Sequence, residues 1–256
     1  VKEPLNYPDF GAWEYFVGPV TADGTKLPFM ADGPSLYVTP ALTYRYYYYD
    51  LTKGQVAAAL TPEEAATVGT NASLPRMNAD GTQLFYADAN GIHRKVIGDA
   101  LTDYMPTAPP HGTLGPYHVL NVSADGSEVL YSFANMISAI AFDAVWMLDT
   151  ATGESTPFGF VDAAGAPLAG SPQWVTEFVF TPDMRYAAAG QYNQGVVQVY
   201  FYDREAHTLK SLFERAKKHV STLPGMPGTI MRASGLALTP DGKYATLLLN
   251  NYTSAE

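Results

Sequence analysis

The chain has 256 residues and a mass of 27.7 kDa, which suffices for one large domain or two modest ones. Apolar residues make up 47% of the chain, but charged residues make up only 16%, against roughly 25% in ordinary soluble domains. This shortage of charge argues against a helical bundle, a coiled coil or a disordered tail. The 22 Gly, 19 Pro and 18 Tyr favour tight turns and strands, so we predict an all-β fold with many short strands.

The charge and the cysteine content limit the possible partners. Fifteen Lys and Arg against 25 Asp and Glu give a net charge of −10, which repels phosphate backbones and anionic lipid. We therefore expect no nucleic-acid partner, and we interpret the one basic stretch, 215–219, as a solvated segment. The sequence has no Cys, which removes disulfides, thiolate metal sites and cysteine nucleophiles, and it has no apolar run of membrane-spanning length. A chain that needs no disulfide fits an extracytoplasmic location, periplasmic or secreted.

A Ser/Thr/Asn-x-Asp-Gly tetrapeptide recurs along the chain between apolar stretches. Successive copies lie 45 to 58 residues apart, and their aspartates are Asp23, Asp80, Asp125, Asp183 and Asp241. In the fourth copy, Met184 takes the place of Gly. An Asp side chain accepts hydrogen bonds from turn amides, and Gly adopts the positive φ that the next position needs. Each copy therefore predicts a β-hairpin.

A second turn motif follows three of these copies by 20 to 27 residues. It begins at Asp50, Asp149 and Asp203, each directly after an apolar and aromatic stretch. The second copy has Asn90-Gly91 instead and lacks the motif. Two hairpins per repeat give four antiparallel strands per unit, and a series of such units that pack face to face describes a β-propeller.

At these residues the chain resembles the WD40-like and TolB-type propeller repeats, which carry Ser-Pro-Asp-Gly between their first two strands and Asp-x-x-Thr-Gly between their last two. The resemblance covers residues 13 to 250. It implies one propeller domain over 1–256, with five four-stranded blades that start near residues 12, 72, 117, 174 and 232. The last blade is incomplete, so either an N-terminal strand closes a five-bladed ring or the chain is part of a larger propeller. The resemblance implies a fold and leaves the function open.

Two segments depart from the simple strand pattern. Thr61, Pro62 and Glu64 form the sequence of a helix N-terminus with a capping box, which predicts a short helix over 61–68. Residues 208–214 fit helical spacing, but a fourth strand suits the phase of the repeat better, and we predict a strand.

If both kinds of turn lie on one face of the propeller, the loops that make the other connections lie on the opposite face. Propellers usually bind their ligands at that face. Polar residues at the start of the predicted inner strands, together with one polar loop tip, form the candidate ligand-binding set: Ser73, Arg76, His118, Thr176, Glu177, Arg232, Ser234, Gln191, Tyr192 and Asn193. His118 has the chemistry of a general base or metal ligand, although a lone His at a strand start more often bonds to the backbone. Glu177 lies in an apolar strand, so it should meet a cation, Arg232 or Arg76, in a structural ion pair rather than a ligand contact.

The phosphate-binding, dinucleotide-binding, zinc-protease and nucleophile-elbow motifs are all missing from the sequence. We therefore assign no catalytic residue and favour a non-catalytic binding or scaffolding propeller that recognises a protein, peptide or glycan through its loops. Two alternatives stay open: a hydrolase or lyase acting on a sugar or lactone in the central channel, and an accessory propeller of a larger enzyme. No cofactor is predicted, and a channel-bound Ca²⁺ or similar ion belongs to the enzyme alternative.

Overall fold

The computed structural model describes residues 14–32, 45–69, 72–99, 101–104, 117–133, 140–141, 145–175, 177–193, 196–212 and 231–251. Within these ranges the chain forms twenty β-strands and one short α-helix. Every strand pairing is antiparallel, so the predicted all-β class is confirmed in its coarse form. No helix in these ranges is long and apolar enough to cross a membrane.

Four sheets have four strands each. Sheet one contains β1 (Glu14–Val17), β2 (Lys26–Asp32), β3 (Arg45–Asp50) and β4 (Gln55–Ala58). Sheet two contains β5 (Arg76–Met77), β6 (Gln83–Asp88), β7 (Gly91–Val96) and β8 (Leu101–Tyr104). Sheet three contains β9 (His118–Val122), β10 (Glu128–Ser132), β12 (Val145–Asp149) and β13 (Ser155–Pro157). Sheet four contains β15 (Glu177–Phe180), β16 (Tyr186–Asn193), β17 (Val196–Asp203) and β18 (Thr208–Ser211).

Three smaller elements complete the described structure. Sheet five has two strands, β19 (Met231–Leu238) and β20 (Ala245–Asn251). A short ladder joins β11 (Ile140–Ala141) to β14 (Trp174–Val175). The helix α1 (Pro62–Ala65) follows sheet one, and its capping box is formed as predicted: the Glu64 amide donates to Thr61 Oγ1 at 3.2 Å, and the Thr61 amide donates to Glu64 Oε2 at 2.9 Å.

Consecutive sheets pack face to face and bury their apolar side chains between them. The first strands of sheets two to five are neighbours in series, β5 against β9, β9 against β15 and β15 against β19. We call the space between two consecutive sheets a gap and name it by its sheets. Gap two-three holds one apolar cluster around Phe85 and Tyr131, and gap three-four holds another around Phe160 and Met184. Because the apolar face of each sheet is covered by the next sheet, the core is divided among the gaps.

The five Asp-containing turns lie between the first two strands of their sheets, as predicted. In the third turn, Asp125 Oδ1 accepts the Ser127 amide at 3.0 Å and the Ser123 hydroxyl at 2.9 Å, and Gly126 has a φ of 76°. Hydrogen bonds from Ser127 and Ser123 lower the pKa of Asp125 to about 2, because they stabilise the ionised carboxylate. In the fourth turn, Met184 adopts the same left-handed conformation at a φ of 59°.

The second set of hairpins is also present where the sequence predicts it, between β3 and β4, β12 and β13, and β17 and β18. In sheet two, which lacks the motif, the β7–β8 turn contains Gly98 and Asp99 instead. Residues 208–211 form β18, so the strand predicted there is confirmed for that part.

Candidate functional site

The topology gives the stacked sheets two different ends. We call the end that carries the five Asp-containing turns the turn face. The opposite end, where the first strands β5, β9 and β15 begin, is the loop face. The starts of these strands carry the polar residues that the sequence singled out.

The polar groups of the turn face are used to join one sheet to the next. The Asp23 amide donates to the Ala79 carbonyl at 3.1 Å, and the Ala79 amide donates to the Ala124 carbonyl at 2.9 Å. Gln83 Nε2 donates to the Asp125 carbonyl at 3.1 Å in the same way. The turn carboxylates bond to their own turns. The turn face therefore serves the stability of the stack.

Ser73 precedes β5 at the loop face and is buried, with 4% of its surface exposed. Its hydroxyl accepts the Ala87 amide at 2.9 Å, and its own amide donates to the Ala87 carbonyl at 2.7 Å. Its carbonyl accepts the hydroxyl of Tyr46 from sheet one at 2.9 Å. Ser73 thus fastens sheet two internally and to sheet one, and its polar groups are engaged within the protein.

Glu177 begins β15 and faces sheet five. Its Oε2 accepts the amide of Leu236 in β19 at 2.9 Å, so the carboxylate joins the first strands of sheets four and five. The predicted pairing of Glu177 with Arg232, whose side chain the structure does not describe, remains a prediction. Arg76 forms no ion pair within the part of the chain that the structure describes, so the alternative pairing of Glu177 with Arg76 is not formed. The reason is topological, because the two side chains lie in different gaps.

His118 begins β9 and pairs with Ser132 of β10. Tyr131, the neighbour of Ser132, points into gap two-three, and side chains alternate along a strand, so His118 faces gap three-four. Its Nε2 is buried and has no hydrogen-bond partner among the described residues. Burial lowers the pKa of His118 and so favours the neutral imidazole.

Arg76 begins β5 and pairs with Phe85 of β6, whose ring belongs to the core of gap two-three. Paired residues of adjacent strands point to the same side of a sheet, so Arg76 also faces gap two-three. Its Nε is buried and no described residue accepts a hydrogen bond from it. Burial lowers the pKa of Arg76, because desolvation disfavours its charged form.

The other candidates are only partly described. Gln191 in β16 is half-buried, and its Oε1 accepts the hydroxyl of Tyr200 at 3.2 Å. For four residues the structure describes the main chain within strands and not the side chain: Tyr192, Asn193, Arg232 and Ser234. Thr176 lies outside the described residues. Their proposed roles remain predictions.

Sequence reasoning missed a buried acid–imidazole pair at the loop face. His93 Nε2 lies 2.9 Å from Asp88 Oδ1, and Asp88 also accepts the amides of Gly69 at 2.6 Å and Asn90 at 2.7 Å. Burial acts to raise the pKa of Asp88, but hydrogen bonds from His93 and Gly69 outweigh it, and the pKa is lowered. The pair ties the β6–β7 hairpin to the segment after α1. The alternation of side chains along Gly91–Val96 predicts only that His93 and Lys95 lie on the same side of β7.

Two further features of the described ranges bear on a catalytic or metal centre. A pocket of about 440 Å³ lies between β3, β4 and α1, and its lining includes Tyr47, Leu60 and Pro62. Tyr46, which also lines the pocket, donates its hydroxyl to the Ser73 carbonyl before β5 at 2.9 Å. Within the described residues, no three His, Asp or Glu side chains come together as a metal site would require.

No protein-family model matches the chain, and no curated protein matches it. Several solved structures, by contrast, do match the chain. A TolB-type protein from Agrobacterium tumefaciens is 12% identical over 94% of this chain and 72% of that protein, with a TM-score of 0.50. TolB from Acinetobacter baumannii is 16% identical over 75% of this chain, with a TM-score of 0.44. An oligogalacturonate lyase from Vibrio parahaemolyticus is 14% identical over 88% of this chain and 68% of that protein, with a TM-score of 0.47.

The fold is like that of the β-propellers. At 12% identity the Agrobacterium likeness concerns the fold alone. The chain spans 41% of the length of the Acinetobacter TolB. The expected resemblance to propeller proteins is thus confirmed at the level of architecture.

Proposed function

We propose that this chain is a non-catalytic, extracytoplasmic binding or scaffolding module that recognises a protein partner through its loop face. In this proposal the chain is one propeller domain over 1–256, with blades that begin near residues 12, 72, 117, 174 and 232. Likeness to TolB-type proteins supports the location, and cell fractionation of the natural source would test it.

The observation that carries the proposal is a contrast between the two faces. At the loop-face ends of the neighbouring strands β5 and β9, Arg76 Nε and His118 Nε2 are buried and lack partners among the described residues. A buried polar group without a partner costs roughly 1–3 kcal/mol, so proteins seldom keep one without a use. At the turn face, by contrast, main-chain groups and Gln83 Nε2 bond to the next sheet, and the buried atoms without a partner among the described residues are an amide oxygen and a hydroxyl, Gln83 Oε1 and Ser155 Oγ, rather than an imidazole or a guanidinium. The two buried groups without described partners, Arg76 Nε and His118 Nε2, support a binding role for the loop face.

The arrangement favours binding over catalysis. General acid–base chemistry needs two titratable groups that reach one substrate. His118 faces gap three-four, whereas Glu177 faces sheet five and accepts a main-chain amide. Their side chains thus point into different gaps. The described residues therefore lend more support to a recognition surface than to a hydrolase or lyase centre.

A photo-crosslinking experiment in cells of the natural source tests the proposal. A photoreactive amino acid replaces exposed Asn90 at the loop face in one variant and exposed Lys53 at the turn face in a matched variant. We expect a discrete crosslinked protein from position 90 and none from position 53. Crosslinking from position 53 alone, or from neither position, would contradict the proposal.

A further inference from the structure

The pocket between β3, β4 and α1 lies at the loop face, and we call it the α1 pocket. The β3–β4 hairpin turns at the turn face, so β4 ends at the opposite end of sheet one. From there the chain passes through α1 to Ser73, which precedes β5 at the loop face. The volume of about 440 Å³ is in the range of roughly 300–1,000 Å³ that is typical of ligand pockets.

The wall that sheet one gives to this pocket contains two tyrosines that the protein holds in place. The ring of Tyr46 packs on Tyr86 of sheet two, with centroids 4.3 Å apart, and its hydroxyl bonds to the Ser73 carbonyl. The ring of Tyr47 stacks on Phe29 at 5.4 Å. Because both rings are already fixed, little conformational freedom is lost at this wall when a ligand binds.

The wall that α1 gives to the pocket consists of small apolar side chains. Pro62 and Ala66 are exposed and Ala65 is half-buried, and no residue of α1 is buried. The helix is nevertheless fixed, because Glu64 closes the capping box and also pairs with the buried Lys95 of β7. Short side chains on a fixed helix leave room for a bulky group from outside.

The lining favours an apolar ring as the group that enters. The Tyr46 hydroxyl is bonded to Ser73, and the amide and hydroxyl of Thr61 form the capping box with Glu64. Phenol rings, a proline ring and alanine methyl groups then provide most of the contact surface. Aromatic side chains bury a large apolar area and pack in preferred orientations against other rings.

The charge beside the pocket favours a cation next to that ring. Glu63 follows Pro62 of the lining, is exposed, and forms no ion pair within the part of the chain that the structure describes. The neighbouring Glu64 is offset by Lys95. The Glu63 carboxylate therefore adds a local negative charge to a chain with a net charge of −10, and a basic group would complement it.

We propose that the α1 pocket binds an aromatic side chain of the protein partner, in a segment where lysine or arginine flanks the aromatic residue. This inference rests on the proposed function, since it takes the partner to be a protein that contacts the loop face. It deepens that function by naming what the partner presents. Aromatic side chains buried in well-packed pockets are typical anchors of protein interfaces.

Nuclear magnetic resonance of alanine methyl groups in the full chain tests the pocket, because Ala58, Ala65 and Ala66 all line it. Three blocked tripeptides, Lys-Trp-Lys, Glu-Trp-Glu and Lys-Ala-Lys, are titrated separately at constant ionic strength. We expect saturable shifts of these methyl groups with Lys-Trp-Lys and a Kd on the order of 0.1–1 mM. Glu-Trp-Glu should bind about threefold more weakly, and Lys-Ala-Lys should give no saturable shift. Ala151, exposed at the turn face, is the internal control and should not shift.

Two substitutions separate the contribution of shape from that of charge. Ala65→Leu fills part of the pocket and should weaken Lys-Trp-Lys binding by about tenfold, as followed on Ala58, whereas Ala151→Leu should leave it unchanged. Glu63→Gln should weaken the same binding by about twofold, and Glu205→Gln at the turn face should not. If Ala65→Leu does not fold, the three titrations of the unaltered chain still decide the matter.

The pocket and the proposed function can fail separately. No saturable shift with Lys-Trp-Lys, equal binding of the two tryptophan peptides, or an equal shift at Ala151 would overturn the pocket. A crosslinked protein at position 90 together with such a result would leave the loop-face proposal standing. Peptide binding without any crosslinked protein would support the preference of the pocket and contradict the proposed function.

Discussion

Gaps two-three and three-four are built by the same repeat but filled in different ways. Gap three-four contains a group of aromatic rings in edge-to-face contact, with centroid separations of 4.6 Å for Phe178 and Phe180 and 5.1 Å for Phe160 and Tyr202. At its turn face, Arg204 forms a two-fold hydrogen-bonded pair with Glu128. Gap two-three has Phe85 and Tyr131 at its centre but places arginines beside them.

The difference shows which parts of the repeat carry stability and which are free to vary. The Asp-containing turns are alike in both places, because each joins the first two strands of its sheet. Side chains between the sheets are constrained only by volume and polarity, so one gap is filled mainly by aromatic rings and the next also holds arginines. We infer that gap three-four mainly stabilises the stack.

The largest effect should come from the aromatic gap. Phe160→Ala removes a ring that contacts Phe158, Phe178 and Tyr202 and leaves a cavity, so the free energy of unfolding should fall by about 3–5 kcal/mol. Chemical denaturation monitored by fluorescence measures it. Phe160→Leu is the matched control and should cost less, because it keeps more of the buried volume. Equal, small losses for both variants would mean that this gap is loosely packed.

A smaller effect should appear where the turn of sheet three covers sheet two. Gly126 has a φ of 76°, and an added Cβ would lie 2.8 Å from Gln83 Oε1. Gly126→Ala should therefore lower the free energy of unfolding by about 2 kcal/mol, from backbone strain and the disturbed Gln83 hydrogen bond. Gly24→Ala, at a φ of 73° with no atom within 4 Å of the added Cβ, should lose only about 1 kcal/mol. Denaturation curves measure both losses. A larger loss for Gly24→Ala than for Gly126→Ala would show that the contact between the turn of sheet three and sheet two contributes little to stability.

The ion pair at the turn face of gap three-four should contribute less to the free energy of unfolding than the Gly126 turn does. A double-mutant cycle with Arg204→Met and Glu128→Gln should give a coupling free energy of about 1 kcal/mol, because the pair is two-fold but about one-third exposed. The same cycle for Arg185 and Glu205, where Glu205 is 70% exposed, should give about 0.3 kcal/mol. Similar values for the two pairs would remove the distinction between them.

A pH dependence of stability should also appear above pH 10, and Tyr131 in gap two-three should contribute to it. Burial raises the pKa of Tyr131 to about 12, from 10.0 in the unfolded chain. Its contribution to stability is therefore full below pH 10 and is lost as the pH rises towards 12, because only the unfolded chain ionises readily in that window. Melting temperatures between pH 9 and pH 12 should fall more steeply for the native chain than for Tyr131→Phe. Parallel curves would show that Tyr131 ionises as easily in the folded state.

Local chemistry explains how much of the fold the sequence could predict. Asp and Gly determine the conformation of a turn within four residues, so the hairpins at Asp23, Asp80, Asp125 and Asp241 follow from the sequence. The helix at Pro62–Ala65 follows from its capping residues for the same reason. Met184 shows the limit of the rule, because tertiary packing holds a buried side chain in a conformation that Gly usually takes.

The candidate site was harder to predict, because it depends on register across strands. The sequence alone does not show that Arg94 lies on the same side of sheet two as Arg76. Their shared pairing with Phe85 shows it. In sheet three, the register of β9 against β10 shifts between Leu130 and Tyr131. Such a shift changes which residues face a given gap, and the local sequence does not predict it. Glu177 was expected to meet a cation; the main-chain amide from sheet five that it accepts was not predicted, and the pairing with Arg232 remains a prediction.

The residue at the second position of each turn limits how the sheets can be joined. Ala79 donates its amide to the turn of sheet three, but the same position holds Pro182 in sheet four and Pro240 in sheet five. Proline has no amide hydrogen, so sheet four cannot repeat the Ala79 bond, although it keeps Asp183 at the position from which Asp23 donates its amide to sheet two. In hydrogen–deuterium exchange, the Ala79 amide should be protected by its neighbouring sheet. Within the described residues, the turns of sheets one to three are thus linked by main-chain hydrogen bonds, whereas the Glu177 carboxylate of sheet four accepts a main-chain amide of sheet five.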